Sequence, residues 1–569
     1  MVDSCIMADE QEVAFDESAV GKPEIEPDES SEQESEKEPD ESTEWEGEYG
    51  EAGCPIWMGE YHGDVRCGRE LHVAPDGVDK KPVCLMHSKD PQKQSGPLLD
   101  AFCSEFERVL GDAGQYLARF QRFVFPQLDL AGRYIEAICL FVETTFTRDA
   151  DFRKVTFTEN AYFAGAIFTQ DANFSDAAFT LNADFAGAIF TQNANFCSAT
   201  FTQNASFCSA TFMQSADFCT ATFMQSADFS YATFRQDAGF IQATFTQDAD
   251  FHIATFTQNA NFYSATFSQA ANFMCTKFHG TAVWRGSRFL NQAEFRRTKF
   301  EPLVEGEPSA VFVLANFSKP DEVVFDHVDL SRALFHNCDV SQVWFTSSVR
   351  WGKREGNRSL AVFEETIDLK HRFGSGLRRD GQRDYRAVAQ IYQQLKKNYD
   401  SRLDYWTANE FHFGEMEMKR LAGPTDGPFL WLRQWFHRKL KLSLVALYRH
   451  ASDYGNSYVK PMLWLLGILV LFAALLPLPG VGLKRQGATQ AETYASVWRA
   501  GDGWTPNLWA EALLAGKGAI TSVDAATFQR SAEYAPTYPW GRVLAIFETL
   551  LTSSLFALFL LAIRRQFRR

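Results

Sequence analysis

Three cysteines and a histidine near the start of the chain have the residue types of a metal site. Cys54, Cys67, Cys84 and His87 follow the pattern C-x12-C-x16-C-x2-H. Thiolate sulfur and imidazole nitrogen are the ligands that structural zinc takes in tetrahedral sets of four. Cys84 and His87 can hold one ion from a single turn, and Cys54 and Cys67 complete a Cys3His set, with His62 and His72 as alternative fourth ligands. A module spanning only residues 54–90 needs such a staple to fold. A structural zinc is the one cofactor expected.

Elsewhere the sequence offers little chemistry. No HExxH, GxSxG, GxxxxGK[ST] or strand-borne GxGxxG occurs, and no enzymatic activity is expected. His412, Glu415 and Glu417 in "FHFGEMEM" read as polar residues that a helix shows to solvent. Cys197, Cys208 and Cys219 stand eleven apart and read as small outward-facing residues. Glu548 interrupts an apolar run. An ionisable residue in a membrane segment is costly and suggests a function, the alternative being a cap near the interface of a tilted helix.

The elements that carry these residues follow from periodicity. Phe is the dominant aromatic, with 52 copies against 17 Tyr and 13 Trp. From Phe141 to Phe300 an aromatic recurs at alternating steps of five and six, 30 times, and only Trp284 is not Phe. A helix turning about 100° per residue would scatter such positions around its axis. A chain that turns a corner every five or six residues aims each Phe inward. Ala, two residues before most of them (Ala172, Ala183, Ala194, Ala205), also points inward by strand alternation. Thr, Asn, Asp and Ser face out, among them Asp184, Asp217, Asp228 and Asp250, which read as surface solvation. The result is a solenoid whose layers bury their aromatics against one another.

"ADFCT", "ATFMQ", "ADFSY" and "ANFYS" in this stretch resemble the unit A-(D/N)-(L/F)-x-x of the pentapeptide-repeat family. The resemblance implies a right-handed, quadrilateral β-solenoid over 125–350. One residue is added every second unit here, so four sides take about 22 residues, with a two-sided coil of 11 as the alternative. The thirty sides then make about 7.5 coils, flanked by plain five-residue steps at Phe125, Leu130 and Ile135 and at Leu330, Phe335, Val340 and Phe345. Ahead of it, Phe102, Phe106, Val109, Ala113, Leu117 and Phe120 predict an amphipathic helix over 100–124 that caps the raw end of the stack.

The net charge of −17 is a property of one segment. Residues 1–51 hold 20 acidic and two basic residues, and the remainder is nearly neutral. Segment 1–53 is too acidic and too poor in aliphatics to bury a core, and is expected to be disordered. Met1 leads into acid with no secretory signal, so free thiols in a cytoplasmic compartment are expected. The outward solenoid residues are mostly uncharged, which argues against a nucleic-acid partner or mimic.

Beyond the solenoid the period becomes helical over 360–423, followed by a basic amphipathic stretch at 429–450 suited to an anionic membrane surface. Residues 461–483 and 543–563 are long and apolar enough to span a bilayer. Basic residues precede the first run (Arg433, Arg438, Lys439, Lys441, Arg449) and follow the second in the tail 564–569. Both ends are therefore expected in the cytoplasm, with 484–542 as an extracytoplasmic loop. "YQQLKKNYDSRLDYWTANEFHFGEMEMKR", "YGNS" and the two runs with their Arg cluster resemble the tail of bacterial membrane-attached pentapeptide-repeat proteins. That resemblance implies a multi-pass protein of the bacterial inner membrane. Its solenoid would scaffold a protein partner, alone or as a homo-oligomer. An alternative is an ion-channel-like protein. The order short helix, polar turn, Pro, span before Glu548 resembles half of a two-span channel, although "TFQRSAEYAP" stands where a potassium filter would.

Overall fold

The computed structural model describes residues 53–566, apart from 59–65, 76, 355–358, 367–383, 424–430 and shorter stretches between 432 and 538. The acidic segment, His62 and most of 429–442 lie outside the described residues. The chain forms two compact units. The first runs to Ser309 and adds 322–328 and 345–348; the second holds 310–321, 329–344 and 349–569.

The first unit is dominated by the coil that the Phe rhythm requires. Two-residue strands make its sides. Ala183–Asp184, Ile189–Phe190, Ala194–Asn195 and Thr200–Phe201 form one circuit, and Ala205–Ser206 stacks in parallel on Ala183–Asp184. The register steps by 22 residues without a slip, as in Ala161, Ala183, Ala205, Ala227, Ala249 and Ala271. This settles the four-sided coil over the two-sided one. The solenoid has about ten coils, because the flanking five-residue steps coil as well.

The alternation of five and six reflects two kinds of corner. In the five-residue side, the second residue after Phe takes a left-handed conformation. Ser209 has φ 57°, and the Ala210 amide donates to the Phe207 carbonyl at 3.0 Å. This is a turn closed by its own hydrogen bond. The six-residue side, "FMQSAD", turns with an extra residue, and none of its residues has positive φ. Inside, the Phe rings stack in columns. Phe207 lies parallel between Phe185 and Phe229, each 4.9 Å away, and edge-on to Phe218 at 5.3 Å. Offset stacks and edge contacts are the arrangements that aromatic quadrupoles favour. Outside, the polar residues hold backbone. Asp184, Asp217, Asp228 and Asp250 each accept the amide two residues on, at 2.8–2.9 Å.

The helix expected over 100–124 is shorter. Helix α1 spans Pro97–Ala113 and ends at Gly114, whose φ of 53° closes it. Leu117–Arg119 is instead a strand paired with Ile138–Leu140, and Phe120 is already a core ring. The aromatic spacing of α1 happened to run on into that of the coil. Phe106 of α1 packs 4.9 Å from Phe120, and Phe102 packs 5.2 Å from Phe125, so the helix covers the first coil.

In the second unit, Ala310–Val311 pairs in parallel with Ala333–Leu334 as further coil. A hairpin of α2 (Tyr385–Ser401) and α3 (Tyr405–Ala422) follows. Then come α4 (Leu444–Ser452), α5 (Val459–Leu475), α6 (Leu508–Ala526) and α7 (Pro539–Gln566). Of the described helices only α7 is long and apolar enough by itself to cross a membrane; α4 and α5 would add a second span only if taken together across a bend of 119°. The run expected over 461–483 forms the 17-residue α5, which stops just before Pro477 and Pro479 because proline cannot continue a helix.

Candidate metal centre

Cys54, Cys67, Cys84 and His87 converge. Their ligand atoms all lie within 4.8 Å of one another. Cys54 Sγ is 3.5 Å and Cys84 Sγ 3.2 Å from His87 Nδ1, and Cys67 Sγ is 3.7 Å from Cys84 Sγ. A tetrahedron with metal–sulfur bonds of about 2.3 Å and a metal–nitrogen bond of about 2.0 Å has sulfur–sulfur edges of about 3.8 Å and sulfur–nitrogen edges of about 3.5 Å. The four side chains could therefore hold one metal ion.

Local backbone makes this convergence. The amides of His87 and Ser88 both donate to the Cys84 carbonyl, a tight turn that sets the imidazole beside the thiol. The Cys67 amide donates to Ile56 and the Gly68 amide to Cys54, joining the other two ligands. Gly53 passes so close to this turn that a Cβ there would lie 2.7 Å from the Gly68 carbonyl oxygen. His72, the described alternative ligand, points elsewhere and pairs with Asp90 at 2.9 Å.

A second layer orients the ligands. His87 Nε2 donates to the Gln121 carbonyl at 3.2 Å, which leaves the Nδ1 lone pair facing the thiols. Arg69 donates to Cys67 Sγ at 3.2 Å and to Glu105 of α1 at 2.6 Å. Three of the four groups are perturbed by one another. Hydrogen bonds from Cys54 and then Cys84 hold the Cys67 thiol well below its ordinary range. Hydrogen bonds with Cys54 and Cys67 push Cys84 up. Burial by itself would lower His87, but Cys54 and Cys67 raise it to about 9. Sequence reasoning singled out the four side chains that converge and missed Arg69, Glu105 and Gln121, whose roles arise from tertiary contacts.

Other singled-out residues fare differently. Cys197 and Cys219 stack on one side, where their sulfurs and Asp217 also lie within 4.8 Å, and all three are partly exposed. His412, Glu415 and Glu417 do not face solvent. All three are buried. Glu415 pairs with Lys419 and His412, and Glu417 joins Arg420, Arg449 of α4 and the Tyr454 hydroxyl. The period of α3 gave no sign of this, because the second partner surface comes from α4 and the turn after it. Glu548 is fully buried between helices.

The architecture defines a class: an aromatic-cored, four-sided β-solenoid, closed at its first coil by a helix and a Cys3His module. Within that class, the family model for pentapeptide repeats, with nine copies, matches residues 136–178 and 220–266, so the coil carries pentapeptide repeats. No curated protein and no solved structure matches it.

Proposed function

We propose that the chain is a non-enzymatic scaffold of the bacterial inner membrane. Its solenoid presents a regular polar face to a protein partner, and its C-terminal helices anchor it in the bilayer with both termini cytoplasmic. The observation that carries this reading is α7. Twenty-six of its residues form an apolar span, and large side chains such as Val543, Ile546, Phe547 and Leu550 are more than half exposed. Such a surface is costly in water and at home in lipid. The basic residues beside the apolar runs support the orientation. The cation at the Cys3His cluster is zinc, and its role is structural, since four protein ligands leave no open position for a substrate.

A full-length chain recovered in membranes and resistant to alkaline carbonate, and released when residues 539–569 are deleted, is the expected result. A full-length chain that stays in the soluble fraction overturns the reading. A second reading, ion conduction, is favoured by one observation: α6 packs against both α5 and α7, as a pore helix would. Current from the purified chain in a planar bilayer would replace the anchor with a channel.

A further inference from the structure

The hydrogen-bond inventory around Glu548 counts more acceptors than donors. Glu548 on α7 is completely buried, and its Oε1 contacts the Ser522 hydroxyl of α6. Ser522, also completely buried, lies with its Oγ 3.2 Å from the Leu469 carbonyl of α5. A serine hydroxyl carries one proton and can donate once. If Glu548 were a carboxylate, Ser522 would have to choose between it and Leu469, and one acceptor would be left bare. The other carboxyl oxygen, Oε2, has no hydrogen-bond partner among the described residues.

Among the described residues, the cations on the neighbouring helices are engaged elsewhere or exposed. Lys517 on α6 is tied to Glu492, Lys460 at the start of α5 to Asp453, and Arg449 on α4 to Glu417. Arg542, almost two turns earlier on α7, is exposed, and the other ionisable group nearby on α6, Asp524, is acidic. Two threonines beside Glu548 on α7 are already engaged with backbone. Thr552 donates to the Glu548 carbonyl at 2.9 Å and Thr549 to Ala545 at 2.8 Å. A buried carboxylate with a single neutral donor is far costlier than the neutral acid.

We infer that Glu548 is a proton-binding site. The acid O–H donates to Ser522 Oγ, and the Ser522 O–H donates to the Leu469 carbonyl. One proton thus completes a relay that ties α7 to α6 and α6 to α5. Its loss leaves a bare anion at the centre of three helices and opens the bundle. The ligand is a proton rather than a metal cation, because among the described residues the hydrogen bonds join just Glu548 Oε1, Ser522 Oγ and the Leu469 carbonyl. Three oxygens fall well short of the six or so that hard cations take.

Infrared difference spectra of the full-length chain in nanodiscs, wild type minus Glu548→Gln, test this at neutral pH. A protonated-carboxyl C=O band present in the wild type and lost in the variant is expected. It should shift to higher frequency in Ser522→Ala, where its acceptor is gone. A carboxylate band pair in place of the C=O band overturns the assignment. Disappearance of the band on adding sodium at constant pH overturns it in favour of a cation site. An unshifted band in Ser522→Ala overturns the relay. Glu548→Gln keeps a donor to Ser522, so the fold and the comparison survive the substitution. The inference concerns a buried carboxyl and does not depend on the anchoring reading, which the membrane fractionation tests separately.

Discussion

Two coils of this protein are closed off in different ways. The coil at Phe120–Ile135 meets a Cys3His module. His87 Nε2 donates to the Gln121 carbonyl, the Val124 amide donates to Met86, and α1 lays Phe102 and Phe106 over the rings. The coil at Leu330–Trp344 meets side chains of a helical hairpin and the turn before it. Glu364 accepts the Phe335 amide, Gln394 accepts the Val340 amide at 3.2 Å, and Asn398 donates to the carbonyls of Val340 and Val343 at 2.8 and 2.7 Å. Both arrangements answer one problem, since a final β-layer exposes unpaired amides and carbonyls. The first solution places its bonds beside four side chains that could share one ion, as proposed above. The second borrows a helix pair with a core of its own, so each bond stands separately. Failure should therefore be all-or-none at the first coil and graded at the other.

The largest effect is expected from breaking the ion set. Structural zinc in small modules carries apparent binding free energies of about 10–16 kcal/mol, and that energy is folding energy. Chelation, or Cys84→Ser, should expose residues 53–90 as a block to hydrogen exchange and remove one zinc per chain by elemental analysis. Amides between Phe141 and Phe300 should keep their protection, because each layer contacts only its neighbours. Loss of protection throughout the solenoid would show that the module holds the whole stack rather than its first coil.

The interior of the solenoid is the reference for both closures. Phe207 is fully buried among Phe185, Phe229, Phe196 and Phe218, at 4.9 to 5.3 Å. Phe207→Ala should cost about 3–5 kcal/mol, the range for an aromatic cavity that the surroundings cannot fill. The lost protection should centre on the coils of Phe185 and Phe229 and fade within a layer or two on either side. Uniform loss over all coils would mean that the stack unfolds as one cooperative unit.

How much of this was legible in the sequence depends on where the information lies. The coil could be read because each of its layers repeats the same local rule, and Phe201 or Phe212 announces its direction without reference to distant residues. The four candidate metal ligands could be read because cysteine and histidine advertise their chemistry. Arg69, Gln121, Glu364 and Asn398 could not be read. Each is an ordinary polar residue in sequence: Glu364 and Asn398 gain their roles from backbone groups 29 and 58 positions away, Gln121 lends its own carbonyl to the His87 imidazole 34 positions away, and Arg69 is placed by Glu105. The same reason misassigned "FHFGEMEM". Glu417 looked solvent-facing until α4 and Tyr454 supplied the other half of its surroundings. The end of α1 was misread for the opposite reason, because helix and coil spacings coincide over Ala113–Phe120.

The closure at Leu330–Trp344 contains a group that makes its graded character measurable. Burial pushes the Glu364 carboxyl up to about 7, against the help it receives from the Phe335 amide. Its folded value therefore lies above its unfolded one, so between about pH 4.5 and 7 the folded state holds more protons at this site. Stability is fully present below the unfolded value and falls as pH rises through the folded one, by about 3 kcal/mol over the window for a shift of this size. Glu364→Gln keeps the acceptor for Phe335 and cannot ionise, so it should flatten that slope and exceed the wild type in stability above neutral pH. Urea unfolding of both chains at a series of pH values, followed by exchange at Phe335 and Val340, reads this directly. The first coil should respond differently. Its ligands bind the ion only when deprotonated, so acid weakens that closure over the range in which it strengthens the Glu364 contact. Parallel pH profiles at Val124 and Phe335 would erase the distinction between the two closures; profiles of opposite slope would establish it.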